Sequence, residues 1–212
     1  CGDNYLQDLD LTSNKLIEGI NCTGNLLSNI NIQNGNNQNI LNFTSYGNQP
    51  ACILVDNIDS AYAYPNWQKD SYSEYSFDCS NLKIEMTYMP DDNFEQYFVD
   101  RKYDVILNDS VPTEIIISFG ELGIGNRNIT DLTGIQDFTS LSRFSCEQNQ
   151  ITSLDLSNNT KIEYLYCNNN QLTSLNIGSN NVLYDFNFNN NYLTNIDLSE
   201  CKNLLWLSCE NN

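Results

Sequence analysis

Between Cys146 and Asn212 the same residue types return every 21 positions. Cys146, Cys167, Phe188 and Cys209 form one column, and Asn149, Asn170, Asn191 and Asn212 a second, three residues on. Apolar columns run between them: Ile151, Leu172, Leu193; Leu154, Leu175, Ile196; Leu156, Ile177, Leu198; Ile162, Leu183, Leu204; Leu165, Phe186, Leu207. A period of this length, kept in register over more than three turns, predicts a solenoid. Each coil buries its apolar edge against its neighbours, and no single large core is required.

The spacing within one coil predicts short strands. In Ile162-Glu-Tyr-Leu165-Tyr-Cys167-Asn-Asn-Asn170-Gln-Leu172 the alternating Leu165 and Cys167 point inward and Tyr164 and Tyr166 outward. The second half, Leu172-Thr-Ser-Leu175-Asn-Ile177-Gly-Ser-Asn180, repeats the scheme. Asn170 and Asn180 fall where the chain turns inward, and a side-chain amide there can both donate to and accept from the backbone that a tight bend leaves unpaired. Cys201 occupies the Asn180 position one period later, where a thiol supplies only a weak donor. Several of the eight cysteines sit in these columns as small buried hydrophobes, and no Cys-x-x-Cys pair points to zinc.

Residues 1–58 carry a weaker form of the pattern. Cys1 and Cys22, Asn4 and Asn25, Leu6 and Leu27, Leu9 and Ile30, Leu11 and Ile32 are again 21 apart. Cys1 is therefore read as a ladder cysteine in preference to a lipid-anchored N-terminus. The segment Gln33–Gln38 shifts the register by about two residues, and Cys52–Val55 reads as the last strand of this block. Residues 59–88, rich in Tyr62, Tyr64, Trp67, Tyr72, Tyr75 and Phe77, break the pattern and read as a cap over the open end. Cys52 and Cys79 flank this cap and are expected to form a disulfide, the other reading being two free buried thiols.

Residues 89–121 read as the N-terminal cap of a second block. Pro90-Asp-Asp-Asn-Phe-Glu95 signals a helix start, and Phe94, Tyr97 and Phe98 give one apolar stripe on a short helix over about 92–101. Pro112 excludes a helix through it, and Ile115-Ile116-Ile117 is expected to be a buried strand. The array resumes at residue 122 and runs to 212. Cys209-Glu-Asn-Asn at its end matches Cys1-Gly-Asp-Asn in phase, so the chain is expected to be one unit of a longer tandem protein.

Composition narrows function mainly by exclusion. With 9 basic against 27 acidic residues and a net charge of −18, the basic surfaces needed for nucleic acid or anionic lipid are missing. There is no histidine, which removes the commonest general base and metal ligand together. No phosphate-binding glycine loop, nucleophile elbow or calcium-loop motif is present, and no apolar run is long enough to span a bilayer. A non-catalytic protein without cofactor, metal or membrane insertion is expected.

These motifs resemble the leucine-rich-repeat family in its L-x-x-L-x-L-x-x-N/C-x-L form. More narrowly they look like the asparagine-rich, 21-residue repeats of secreted and surface proteins of Bacteroidota. Asn34-Gly-Asn-Asn37, Cys52-Ile-Leu-Val-Asp56, Ile129-Thr-Asp-Leu-Thr-Gly-Ile135 and Gln150–Asn159 carry that likeness. The resemblance implies a β-rich solenoid displayed outside the cell and binding protein or glycan. It also implies that Asp59-Ser60-Ala61 and Asp109-Ser110-Val111 match an O-glycosylation sequon at Ser60 and Ser110.

Comparing outward columns locates the candidate surface. One side is small, polar and uniform: Thr152, Thr173, Thr194; Asp155, Asn176, Asp197. The other varies: Arg143, Tyr164, Asp185, Trp206; Ser145, Tyr166, Asn187, Ser208; Ser142, Glu163, Tyr184, Leu205. Exposed rings beside amides and carboxylates suit recognition, so Arg143, Tyr164, Tyr166, Tyr184, Asp185 and Trp206 are the candidate ligand-binding residues. The alternative is a stalk or filament spacer in which the same aromatics contact one another or neighbouring copies of the chain.

Overall fold

The computed structural model describes residues 2–49, 51–80, 85–104 and 106–212, so the ladder reading of Cys1 lies outside the described residues. The chain forms two compact units, Cys1–Glu85 with Arg101–Ile106, and Met86–Asp100 with Leu107–Asn212.

The first unit contains β1 (Asp8–Asp10), β2 (Gly19–Asn21), β3 (Asn29–Asn31), β4 (Asn42–Thr44), β5 (Cys52–Leu54), α1 (Ile58–Ala63), β6 (Trp67–Gln68) and β7 (Glu74–Ser76). Consecutive strands alternate between two parallel sheets, β1-β3-β5-β7 and β2-β4-β6. Leu9, Ile30, Ile53 and Tyr75 therefore stack in one column and Ile20, Phe43 and Trp67 in the other. The core is these columns together with Cys22, Leu27, Ile32, Ile40 and Val55. Each fully buried aliphatic side chain contributes about 2 kcal/mol.

The expectation that this array ends at residue 58 is corrected, because β6 and β7 add a further rung to both sheets. The periodicity fails there for two physical reasons. The helix α1, capped by the Asn57 side chain on the Ser60 N–H (2.8 Å), replaces a turn and lengthens the coil. Aromatic residues also take over the aliphatic columns, with Trp67 lying 5.5 Å from Phe43 and 5.9 Å from Tyr75, ring centre to ring centre. The indole Nε1 donates to the Ile40 carbonyl at 2.9 Å, which satisfies the polar edge of a buried Trp. Cys52 of β5 and Cys79 are joined in a disulfide, Cα–Cα 5.8 Å, beside this rung.

The second unit opens with β8 (Met86–Tyr88), α2 (Asp92–Asp100), β9 (Ser110–Pro112), α3 (Thr113–Ile116) and β10 (Glu121–Gly123). It continues with β11 (Arg143–Ser145), β12 (Ser153–Asp155), β13 (Tyr164–Tyr166), β14 (Ser174–Asn176), β15 (Asp185–Asn187) and β16 (Trp206–Ser208). The parallel sheet β10-β11-β13-β15-β16 stacks Leu122, Phe144, Leu165, Phe186 and Leu207, while β12-β14 stacks Leu154 on Leu175. Helix α2 buries Phe94, Tyr97 and Phe98, and Phe94 stacks on Phe138 (6.1 Å) in the first coil of the array. The expected strand at Ile115–Ile117 is instead the helix α3. Three consecutive isoleucines do not distinguish a buried strand from a buried helical turn. Here Ser110–Pro112 already pair antiparallel with Met86–Tyr88, and Pro112 presets the start of a helix.

Two carboxylates fasten this cap. One oxygen of Asp91 accepts the Asn93 and Phe94 N–H groups at the start of α2 (3.0 and 3.1 Å). Its other oxygen accepts the N–H and hydroxyl of Thr130 and the Asp131 N–H (2.8, 2.8 and 3.1 Å), tying helix to array. Burial works to raise its pKa, but the donors from Thr130, Asp131 and Phe94 outweigh it and the net shift is downward. Glu95 is fully buried on α2 and accepts the N–H groups of Asn108, Asp109 and Ser110 at 2.9, 3.1 and 3.1 Å.

The asparagine columns do what their spacing implied. The Asn170 Nδ2 donates to the carbonyls of Cys167 (3.1 Å) in its own coil and Cys146 (2.9 Å) in the previous one, while its Oδ1 accepts the Ile151 N–H (3.1 Å). Asn149, Asn191 and Asn212 make the same set, as does Asn48 in the first unit, and Asn25 donates to the Cys22 carbonyl of its own coil (2.9 Å) and accepts the Leu6 N–H of the one before (3.2 Å).

Candidate functional site: the variable strand face

The site is built on the outward positions of β11, β13, β15 and β16. The parallel register sets Arg143 beside Tyr164, Tyr164 beside Asp185 and Asp185 beside Trp206, with Ser145, Tyr166, Asn187 and Ser208 one residue pair further along. Because alternate residues of each strand enter the core, these side chains are held on one face. The Arg143 guanidinium carbon lies 4.5 Å from the Tyr164 ring centre and 5.9 Å from that of Tyr166. Arginine over an aromatic face is attracted by the ring quadrupole and keeps its edge donors available. The Tyr166 hydroxyl donates to Asp185 Oδ2 at 2.8 Å. Partial burial, then the Asp185 acceptor and its charge, raise the Tyr166 pKa against the opposing effect of Arg143. Tyr184, immediately before β15, packs against Tyr164 with ring centres 5.9 Å apart and planes at 50°.

Five of the six candidate residues are thus linked, from Arg143 through Tyr164 to Tyr184 and through Tyr166 to Asp185. Trp206 is placed next in register and is 64% exposed. Beside Tyr164 and Tyr184 lies an open depression of about 400 Å³, lined also by Glu163, Val182, Lys202, Asn203 and Leu205. Val182, Lys202 and Asn203 escaped sequence reasoning because they lie on the turns before the strands rather than on the strands themselves. The signal was present: Val182 and Asn203 are again one period apart.

A stretch of 73 residues, 34% of the chain, is 37% identical to internalin J of Listeria monocytogenes serotype 4b (strain F2365) and covers 8% of that protein. Among solved structures, the functional domain of InlJ from Listeria monocytogenes, which includes a cysteine ladder, matches with a TM-score of 0.55. The identity is 34%, over 62% of this chain and 30% of that one. The fold is a leucine-rich-repeat solenoid. The internalin InlF from Listeria monocytogenes strain 4b F2365 shares that fold, with a TM-score of 0.54 at 23% identity over 58% of this chain and 38% of its own. The chain spans less than two-fifths of the length of each of these relatives. No protein-family model matches it.

Within the leucine-rich-repeat frame the remaining candidates take the following places. The column cysteines Cys22, Cys146 and Cys167 are buried; burial pushes the Cys22 thiol up to about 11 and raises the other two as well. These thiols are therefore packing groups, not nucleophiles. Ser60 lies in the first turn of α1 and Ser110 in β9, both partly exposed, and the Ser110 hydroxyl donates to Asn108 Oδ1 at 2.8 Å. Among the described residues the carboxylates of Asp92, Glu95 and Asp109 come within 4.8 Å of one another. The Glu95 oxygens there are already used by three backbone N–H groups, as described above. No helix of the described residues is long and apolar enough to cross a membrane.

Proposed function

We propose that this leucine-rich-repeat chain is a non-catalytic recognition module that binds a protein or glycan ligand outside the cell through its variable strand face. The observation that carries the reading is the linked set Arg143–Tyr164–Tyr166–Asp185 across three consecutive strands, flanked by Tyr184 and Trp206. Its rings are held by neighbours at both ends, so they offer contact area with little rotamer freedom left to lose on binding. The Arg143 and Asp185 head groups supply direction. The similarity to internalins supports protein interaction over catalysis. Surface or secreted display, a source among Bacteroidota and O-glycans on Ser60 and Ser110 rest on the narrower repeat resemblance. The test is an array of extracellular proteins and glycans probed with the folded chain and with the triple variant Tyr164→Ala, Tyr166→Ala, Trp206→Ala. The expected result is retention by the parent and its loss in the variant. Unchanged retention would exclude this face, and a long periodic fibre of the parent under electron microscopy, with no array signal, would favour the spacer.

A further inference from the structure

The coil that carries β16 is paired with its neighbour on one sheet and not on the other. On the face described above β15 and β16 are in full register, and the Tyr192 N–H still reaches the Leu172 carbonyl (2.9 Å). The lateral sheet behaves differently. One coil earlier, the Leu156 N–H donates to the Asn176 carbonyl (2.7 Å) and the Thr173 N–H to the Thr152 carbonyl (2.9 Å). Moved on by one period, these bonds would join Ile177 N–H to Asp197 C=O and Thr194 N–H to Thr173 C=O. Neither is formed among the described residues. Residues 195–197 form no strand, and a groove of about 450 Å³ opens between them and β14. Ser174, Asn176 and Gly178 line one wall and Asn195, Asp197 and Glu200 the other.

The column through Asn159, Asn180 and Cys201 supplies the physical cause. The Asn159 Nδ2 donates to the Ile135 and Phe138 carbonyls of the preceding coil (2.8 and 3.1 Å), and the Asn180 Nδ2 to the Ile162 carbonyl (3.0 Å). Each amide clips its coil to the one before. At Cys201 the clip is replaced by a buried thiol, which is shorter and a weak donor. The coil is left held at its Leu205 and Asn203 side, where Leu205 N–H and Asn203 Nδ2 bond the Tyr184 and Asn181 carbonyls (3.0 and 2.7 Å), and is free to part at residues 194–200.

We propose that this groove is a second interaction site, in which an extended, basic peptide segment of a partner protein adds as a strand to the free edge of β14. An unpaired edge offers a row of alternating N–H and C=O groups, and an extended backbone is their complement. The charge on the walls selects the side chains. Asp197 and Glu200 line the groove and Asp155 bonds the Asn176 amide at 3.1 Å behind it. The cation Lys202 sits 3.3 Å from Glu200 with both groups largely in solvent, where such a pair is weak and leaves Asp197 uncompensated. The site is separate from the variable face and does not depend on its reading.

Hydrogen exchange of the full chain, resolved to the amides of 173–179, tests this with a synthetic peptide of about eight alternating Lys and Thr residues and a Glu/Thr peptide as control. The Lys/Thr peptide should slow exchange of these amides about tenfold, with a strong salt dependence, and the Glu/Thr peptide should not. Cys201→Asn should slow the same amides about tenfold without peptide and abolish the peptide effect, because the restored amide clip closes the groove. Asp197→Asn with Glu200→Gln keeps the turn, since Asn176 caps Gly178 N–H (3.0 Å) as Asp197 caps Ser199 N–H (2.9 Å), and should remove the peptide protection. That second variant decides the matter if Cys201→Asn fails to fold. No protection by the Lys/Thr peptide, equal protection by both peptides, or protection that grows with protein concentration alone would each overturn the proposal, the last in favour of a second copy of the chain.

Discussion

Successive coils of the first unit are offset by 21, 23 and 22 residues along Leu9, Ile30, Ile53 and Tyr75. In the second unit the offset is 22 once and then 21 throughout, along Leu122, Phe144, Leu165, Phe186 and Leu207. The regular unit repeats one fastening, the buried amide that bonds its own coil and the one before. The irregular unit keeps that fastening at Asn25 and Asn48 and then changes to particular ones: the Cys52–Cys79 disulfide, the Trp67 indole on Ile40, and Asp70 on the Gly47 and Asn48 N–H groups (3.3 and 3.5 Å). Repetition stabilises by a sum of equal nearest-neighbour terms, whereas individual fastenings concentrate stability at a few positions. Disturbing each unit separately should expose the difference.

The largest effect is expected at Asn170. Its replacement by Ala strands the buried Ile151 N–H and removes one of the two amide donors from each of the Cys146 and Cys167 carbonyls, which keep those of Asn149 and Asn191, at a summed cost of about 4 kcal/mol. Urea unfolding followed by hydrogen exchange should show the loss confined to the second unit. The second unit should also open from the broken coil outward, as a one-dimensional array does. Next in size is the double variant Cys52→Ala, Cys79→Ala. The bond closes a loop of 27 residues, so its removal should cost the first unit about 3.5 kcal/mol on the chain-entropy estimate. Trp67 is buried in that unit, and its emission in a Trp206→Phe background reports the transition without contribution from the second unit.

Acid should separate the units by a smaller margin and with opposite sign at two carboxylates. The folded pKa of Asp91 lies below its ordinary value of 3.8, so its contribution to the second unit is complete above the unfolded carboxylate range and is lost as pH falls through the lowered folded value. Asp70 in the first unit is raised instead, by burial that its N–H donors from Gly47 and Asn48 only partly offset. Its charged form is the costly one, so protonation as pH falls through the raised folded pKa relieves the first unit. Exchange rates measured from about pH 6 down to about pH 3, corrected for intrinsic chemistry, should show the α2 cap loosening while the Asp70 region holds. An Asp91→Asn variant should remove the pH dependence of the cap.

Legibility followed the same division. Where aliphatic residues and asparagines recur at 21, sequence alone located strands, inward faces and the amide ladder, and the outward columns that differ led to Arg143, Tyr164, Tyr166 and Asp185. Where aromatics replace aliphatics and α1 lengthens the coil, periodicity is lost and the rung of Trp67 and Tyr75 reads as a cap. The contact of Arg143 with both tyrosines was not legible, because a column fixes which face a side chain occupies and not which neighbour it leans on. Nor was the position just before each ladder asparagine. It is left-handed in both units, with φ of 66° and 65° at Gly24 and Gly47, and 57°, 58°, 56° and 56° at Gln148, Asn169, Asn190 and Asn211.

That column yields the finest comparison. The first unit fills it with Asp3 (φ 52°) in its first coil and then with Gly24 and Gly47, glycine adopting positive φ without steric cost but losing more entropy on folding; the second uses mainly asparagine, which tolerates it. Gly47→Ala should therefore destabilise the first unit by about 1 kcal/mol, although a Cβ there would meet nothing closer than the Gly24 backbone at 3.6 Å. The loss would come from the dihedral and not from a clash. Gln148 is the exception in the second unit, a longer side chain with no local hydrogen-bonding habit to favour φ of 57°. Gln148→Asn should stabilise that unit by about 0.5 kcal/mol, read as a small rise in the urea midpoint at unchanged slope. A fall in the midpoint would mean that the Gln148 side chain contributes to the turn in a way its neighbours in the column do not.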